Sequence, residues 1–502
     1  MSQNIFSLFL QSVTDRQRPF LRVPGGRTFS YADAFNCAGR FAHVFRAHDL
    51  KKGDRIAIQV EKSPEALFVY LASLRIGAIY VPLNPAYTAS ELSLILEDAA
   101  PSLVICSPEK ADAIQAIFSK GIILTLSNDG TQGTLVEEAY YQDQAFADAV
   151  CEPNDLAAIL YTSGTTGRSK GAMLTHNNLR SNILALKNAW QFSSNDVLLH
   201  ALPIFHTHGL FVATNICLVS SATMLFLPKF ELDQIFQNLS EATCLMGVPT
   251  FYVRLLGDSR LTKSAVAHMR LFISGSAPLQ AETFDEFKHR TGHSVLERYG
   301  MTETNMNTSN PYVGARKPGT VGLPLQDIEV KVVGDGLQAL SVGDIGRILV
   351  RGPNVFRGYW HNPEKTKEEL LSDGFFITGD VGCFDQDGYL TIVGRSKDLV
   401  ITGGLNVYPK EIETHIDDIA SVRESAVFGI PHPDFGECVT AAVVPRNGEL
   451  PTEAAILKAL EEKLAKFKLP KRIIFVDELP RNVMGKVQKN LLREAYKDLF
   501  KS

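Results

Sequence analysis

The string Tyr161-Thr162-Ser163-Gly164-Thr165-Thr166-Gly167-Arg168-Ser169-Lys170-Gly171 follows directly on an apolar run, Leu156 to Leu160. Glycines and small hydroxyl residues let backbone N–H groups crowd around an anion, and the hydroxyls and the Lys170 ammonium add donors. That chemistry suits a polyphosphate. It is not a Walker A loop, because Ser169 precedes Lys170 and Gly171 follows it. Taken alone, the string reads equally as a glycine-rich surface loop. Further strings follow along the chain: Ser274-Gly275-Ser276-Ala277-Pro278, Tyr299-Gly300-Met301-Thr302-Glu303, Thr378-Gly379-Asp380, Gly394-Arg395-Ser396-Lys397-Asp398 and Asn482-Val483-Met484-Gly485-Lys486. Glu303 could serve a hard cation, and Asp380 could accept two hydroxyls at once. In isolation Asp380 is equally a turn aspartate, Arg395 a surface arginine and Lys486 a solvated lysine. His206 and His208 read as two imidazoles on one strand face, but no third His or Cys lies at ligand spacing, which argues against zinc.

The elements that must position these residues are legible in the first hundred positions. Ser30 and Asp33 have capping-box spacing before an apolar-periodic stretch to about His48, and Thr88 with Glu91 repeats it before a helix that ends short of Pro101. Ser63-Pro64-Glu65 opens a helix that runs to Gly77. Asp54 to Val60, Ala78 to Leu83 and Ser102 to Cys106 read as strands, so strand and helix alternate and imply a mostly parallel sheet. Glycines and aspartates thicken from Gly346 to Gly394, where short alternating strands predict a β-rich region. Past Arg395 the pattern predicts a hairpin (Leu399 to Val407), a helix (Pro409 to Ile419) and two strands (Ser425 to Ile430, Val439 to Pro445). A helix (Glu453 to Lys466) and a strand (Ile473 to Val476) complete a compact C-terminal unit.

Composition narrows the classes. The chain has 502 residues, 45% of them apolar and 21% charged, with a net charge of −5. This is a globular, multidomain composition with no electrostatic footprint for nucleic acid. No apolar run is long enough to span a membrane, and the first residues lack a basic leader. The 7 cysteines are an odd number without a C-x-x-C pair, which fits reduced thiols and a cytoplasmic location. G-x-S-x-G, H-E-x-x-H and G-x-G-x-x-G are all absent.

In their order, the strings above resemble the adenylate-forming superfamily of acyl-CoA synthetases, adenylation domains and luciferases, over about Phe29 to Lys489. The resemblance implies a multidomain α/β fold. Its large N-terminal domain of layered α/β sheets with a β-rich subdomain would span 1–394, and a small mobile α+β C-terminal domain would span 395–502, hinged near Lys397. It also implies an AMP-forming acid–thiol ligase that uses ATP and Mg²⁺, with coenzyme A as co-substrate. Thr162, Ser163, Gly164, Thr165, Thr166, Gly167 and Lys170 would hold the phosphates, and Glu303 and Thr162 the metal, with Thr302 beside them. Ser276, Ala277, Glu297, Tyr299, Gly300 and Met301 would form the nucleotide segment, and Asp380 and Arg395 would meet the ribose. Lys486 would bridge the attacking carboxylate and the α-phosphate, while Gly403 and Gly404 would line the coenzyme A path. One departure, Gly346-Arg347 in place of a frequent Gly-Glu, falls in a structural segment.

The same resemblance places Arg298 in the acid site, with Gly275, His206, Thr207 and Met306 around it. A buried guanidinium is satisfied by a bidentate carboxylate. The expected substrate is therefore a short dicarboxylic acid, malonate, with Met306 limiting a C2 substituent such as that of methylmalonate. The alternative is that Arg298 pairs with Glu297 or another protein acid, leaving the same two-step chemistry to another short or medium-chain acid. Lys486 is also the expected target of a lysine acetyltransferase, since acetylation removes its charge.

Overall fold

Capping chemistry sets the early elements. Ser30 and Thr88 close capping boxes with Asp33 and Glu91 at the starts of Tyr31–Ala47 and Ala89–Ala99. Ser63 caps Pro64–Ile76, and Gly77 ends that helix at φ 71°, a conformation that a side chain would strain. The computed structural model describes residues 2–119, 121–162, 169–402, 405–432, 435–446, 451–482 and 485–500. Its six-stranded sheet runs Ile122–Thr125, Leu103–Cys106, Arg55–Gln59, Ile79–Pro82, Leu156–Thr162, Lys170–Thr175. All but the last strand pair in parallel, as the alternation of strand and helix requires.

A nine-stranded sheet carries Val197–His200, Cys244–Gly247, Leu271–Ser274 and Leu296–Met301 as parallel strands, and Asn305–Ser309 turns back antiparallel beside them. The strands from Cys244 and Leu271 are buried at every position, which accounts for their near-continuous apolar sequence. Asp196 anchors this sheet from one end. It accepts from Ser193 N (2.7 Å) and Thr243 Oγ1 (3.1 Å) and pairs with Arg270 through Nε (2.5 Å) and Nη2 (2.9 Å).

Two compact units result, 1–329 with 350–376, and 330–349 with 377–502. Lys397 lies inside the second, in the turn Ser396–Asp398 between the strands Leu390–Arg395 and Val400–Thr402. The C-terminal sheet of this unit is built on the long hairpin Val422–His432 and Gly436–Pro445. Alternation sends Val427, Val439, Ala441 and Val443 to a core with Ile412, Ile416, Ile456 and Leu460. Ala426, Phe428, Ile430 and Val444 enter a second core with Leu479 and Leu492.

Two local expectations need correction. The helix from Glu453 ends at Glu461 rather than near Lys466, and past it the Lys463 amide bonds the Leu460 carbonyl three residues back (3.0 Å), a tightened last turn. His206 and His208 share no strand face. The strand ends at His200, and His208 opens a π-helix, His208–Thr214. The seven cysteines are free, and no described helix is long and apolar enough to cross a membrane.

Removing the Asp196 carboxylate would leave Arg270 without its counter-ion. Asp196→Ala is expected to destabilise the first unit by about 3 kcal/mol, seen as a lower urea midpoint. An unchanged midpoint would show that the Asp196 pair is dispensable.

Candidate active site

In the first unit, the hairpin of Leu296–Met301 and Asn305–Ser309 presents Arg298. The side chain is 3% exposed, and Nε and Nη2 have no hydrogen-bond partner among the described residues. Gly275 makes the space: a Cβ there would lie 2.6 Å from Arg298 Nε. Glu297, the neighbour on the strand, faces the other way and receives the Leu279 amide on Oε1 (3.1 Å), holding the loop after Ser274. Within that loop Ser276 adopts φ 71°, a strained conformation of the kind found at binding sites, with its hydroxyl 3.3 Å from His208 Nδ1.

Several buried polar atoms near Arg298 also lack partners among the described residues: His206 Nδ1, Thr207 Oγ1, His208 Nε2 and Ser274 Oγ. Burial, and then the Arg298 charge, push His206 down to about 4, and the same causes push His208 well down. Both imidazoles are therefore neutral near pH 7. Burial also pushes Arg298 down to about 9, with Tyr252 and Glu297 opposing. The site is a cation among neutral donors and acceptors, electrostatically suited to a carboxylate. Met306 bounds it: a Cβ on Gly300 would sit 2.6 Å from Met306 Cε. Asn182 clamps the Met306 backbone, donating to its carbonyl (2.7 Å) and accepting from its amide (3.2 Å).

The π-helix that carries His208 frees the Gly209 carbonyl, which accepts from Thr214 Oγ1 (3.0 Å) and from His200 Nε2 (2.8 Å). Lys62 in turn donates to His200 Nδ1 and to the His200 carbonyl, both at 2.8 Å. That arrangement assigns the proton of His200 to Nε2. Burial pushes the Lys62 ammonium well below its usual value.

The segment expected to hold phosphate begins, in the same unit, at the hairpin Leu156–Thr162 and Lys170–Thr175. Thr162 and Lys170 are register partners across its mouth. Ser163, Gly164, Thr165, Thr166 and Gly167 lie outside the described residues. Glu303 is 7% exposed, with Tyr359 Oη 3.1 Å from its Oε1. Thr302 is buried one position earlier. Among the described residues no three His, Cys, Asp or Glu side chains group as a metal site. A divalent cation here would take one or two protein oxygens and complete its shell from phosphate and water, as Mg²⁺ does on nucleotides.

The second unit gathers charges of both signs. Gly379, at φ 73°, turns the Thr-Gly-Asp segment, and Asp380 Oδ1 pairs with Arg395 Nε at 2.7 Å across adjacent strands. Asp398 pairs with Arg493 (3.0 Å). Burial of the Lys486 ammonium, and then Arg395 and Lys397, push its pKa down to about 8, while Asp380 and Asp398 oppose. Lys486 as a whole residue is exposed, so solvent screens part of that shift. Lys397 is lowered by burial and then by Arg395, with Asp398 opposing. Gly403 and Gly404 lie outside the described residues.

Sequence reasoning did not single out Lys62, His200, Tyr359 or Glu369. Each acts through partners far away in the chain, and no local string marks them.

The chain matches the family model described as AMP-binding enzyme over residues 10–360, and the AMP-binding enzyme C-terminal domain over 411–486. It is 35% identical to a malonate–CoA ligase of Arabidopsis thaliana, covering 94% of this chain and 85% of that one. It is also 35% identical to a mitochondrial malonate–CoA ligase of Mus musculus, over 90% of this chain and 84% of the other. The crystal structure of ATP-bound MatB from Rhodopseudomonas palustris is similar throughout, with a TM-score of 0.98, 56% identity and 100% of both chains covered.

The mixed surroundings of Lys486 give opposite expectations for two neighbours. Followed by NMR of ¹³C-methylated lysines, its pKa should rise from about 8 in Arg395→Gln and fall in Asp380→Asn. Shifts of one sign in both variants would place the ammonium elsewhere.

Proposed function

This chain belongs to the AMP-binding enzyme family, and on that premise we propose that it is a malonate–CoA ligase working through malonyl-AMP. The observation that carries the substrate is Arg298, a buried guanidinium whose Nε and Nη2 have no hydrogen-bond partner among the described residues. One carboxylate of malonate supplies the missing charge through two parallel hydrogen bonds. Neutral His206 and His208, with Thr207, accompany it without adding repulsion or a second cation. The three-carbon acid then leaves its other carboxylate for reaction. An apolar acid would leave the guanidinium unsatisfied, which disfavours medium-chain substrates. Met306 limits how large a C2 substituent can be, so methylmalonate tests the space beside it.

In the first step a malonate oxygen attacks the α-phosphorus of ATP in line. The new O–P bond forms as the bond to the β-phosphate oxygen breaks, giving malonyl-AMP and pyrophosphate. Such a transfer is mainly positioning and charge neutralisation. Thr162, Ser163, Gly164, Thr165, Thr166, Gly167 and Lys170 hold the phosphates, and Ser276, Ala277, Tyr299, Gly300 and Met301 hold the nucleotide. Asp380 and Arg395 take the ribose. Lys486 bridges the attacking carboxylate and the α-phosphate as charge develops there. Glu303, buried and hard, fits Mg²⁺, with Thr162 and Thr302 as further oxygens in this reading, and the ion when bound would supply neutralisation of the triphosphate.

In the second step the thiolate of coenzyme A attacks the acyl carbon, the acyl–phosphate oxygen bond breaks and AMP leaves. Lys486 has no role there, so a turn at Lys397 and a path along Gly403 and Gly404 belong to this reading. Acetylation of Lys486 would remove the charge that the first step needs, and a lysine acetyltransferase as partner rests on that chemistry alone. The seven free cysteines support action in a reducing compartment such as the cytoplasm.

AMP formation with malonate, acetate, succinate and hexanoate, each with coenzyme A, tests the substrate. Malonate should be preferred, and Arg298→Ala should cut kcat/KM for malonate by about two orders of magnitude with little effect on acetate. Equal losses on both acids would remove Arg298 from the substrate site. Lys397→Pro should keep malonate-dependent pyrophosphate release while losing thioester formation; parallel loss of both would exclude the hinge.

A further inference from the structure

One hydroxyl in the first unit lies between two acids. Tyr359 is buried, its ring edge-on to Phe356 with centroids 4.8 Å apart. Its backbone segment pairs with the strand that Lys170 opens, through Met173 N to the Gly358 carbonyl (3.0 Å) and Trp360 N to the Gly171 carbonyl (2.8 Å). The phenol oxygen is thereby fixed 3.1 Å from Glu303 Oε1 and 2.7 Å from Glu369 Oε2. A phenol has one proton to donate, so it can serve only one of the two carboxylates at a time. Burial, and then Glu303, hold that proton on Tyr359 by pushing its pKa far up.

Glu369 is the last residue of the helix Pro363–Glu369, the end at which the backbone dipole disfavours a negative charge. Cations offset this. Lys365 Nζ is 2.8 Å from Glu369 Oε1, and Lys170 Nζ is 4.0 Å from the same oxygen. The Lys170 ammonium also lies 5.1 Å from the centre of the Tyr359 ring. The lysine at the end of the phosphate loop is thus already engaged, by an acid and an aromatic face that the adenylation chemistry does not itself require.

We propose that Tyr359 and Glu369 are positioning residues of the phosphate site: Tyr359 orients the Glu303 carboxylate for a divalent cation, and Glu369 holds the Lys170 ammonium until phosphate displaces it. The inference rests on the ATP-dependent reading above. Because Lys170 exchanges one anion for another, its net contribution to phosphate affinity is reduced, and pyrophosphate is released more readily once formed. Removing Glu369 therefore tightens phosphate binding, which loss of a merely structural contact would not do.

Calorimetry of the full chain in chelator, with pyrophosphate alone and with ATP alone, tests the exchange. Glu369→Gln should bind both about threefold tighter, the scale of one partly exposed ion pair, and Glu369→Asp, with shorter reach, should shift the same way. Adding Lys170→Met to Glu369→Gln should abolish the gain. Tyr359→Phe should raise the Mg²⁺ concentration needed for half-maximal enhancement of ATP binding. Unchanged or weaker pyrophosphate binding in Glu369→Gln and Glu369→Asp, or an unaltered Mg²⁺ requirement in Tyr359→Phe, overturns the inference alone. A wild-type chain that binds neither ATP nor pyrophosphate overturns the adenylation reading, and this inference with it.

Discussion

A guanidinium withdrawn from water without a counter-charge is among the costliest things a fold can hold. Arg298 approaches that state: burial lowers its pKa, Glu297 opposes only in part, and Nε and Nη2 lack hydrogen-bond partners among the described residues. Gly275 vacates the volume it occupies, Glu297 is turned to the opposite side of the strand and committed to a loop amide, and the nearby imidazoles are held neutral. A protein acid beside Arg298 would stabilise the empty protein and remove the reason for a dianionic ligand to enter. On the proposed reading, that unfavourable term in the unliganded state makes the site selective, because an acid with one carboxylate cannot both relieve it and react.

The phosphate side follows the opposite logic. There a charge is paired in advance, Lys170 with Glu369. Ligand binding replaces existing interactions instead of creating the first ones. A two-step reaction has reason for this asymmetry: pyrophosphate must leave between the steps, whereas the acyl group must stay.

Local chemistry accounts for what was legible from residue order. The capping boxes at Ser30 and Thr88, the Pro64 start and the Gly77 stop act within four residues, so their elements appear where expected. The strings around Lys170, Glu303 and Asp380 were legible because hydroxyls, glycines and acids adjoin in the chain, although 163–167 and 403–404 lie outside the described residues. What escaped depends on long-range pairing. Tyr359 matters because its segment lies beside Gly171 and Met173, and Glu369 because a helix end brings it to Tyr359; neither fact has a local signature. His206 and His208 misled for a related reason. A period-two spacing resembles a strand, and only the surrounding fold dictates a π-helix there.

That widened helix, His208–Thr214, has a consequence for how the family can vary. A π turn contains one residue more than the regular coil it interrupts, so losing any single residue between Leu210 and Ala213 would relax the segment into ordinary α-helix. The relaxation would swing the preceding residues by about 100°, carrying His208 off its bearing and leaving the His200 imidazole and the Thr214 hydroxyl without the carbonyl they share. Substitutions in this stretch can accumulate gradually, but its length cannot drift. Relatives that handle other acids are accordingly expected to differ here by exchange of side chains or by abrupt whole-segment replacement, with few stepwise deletions.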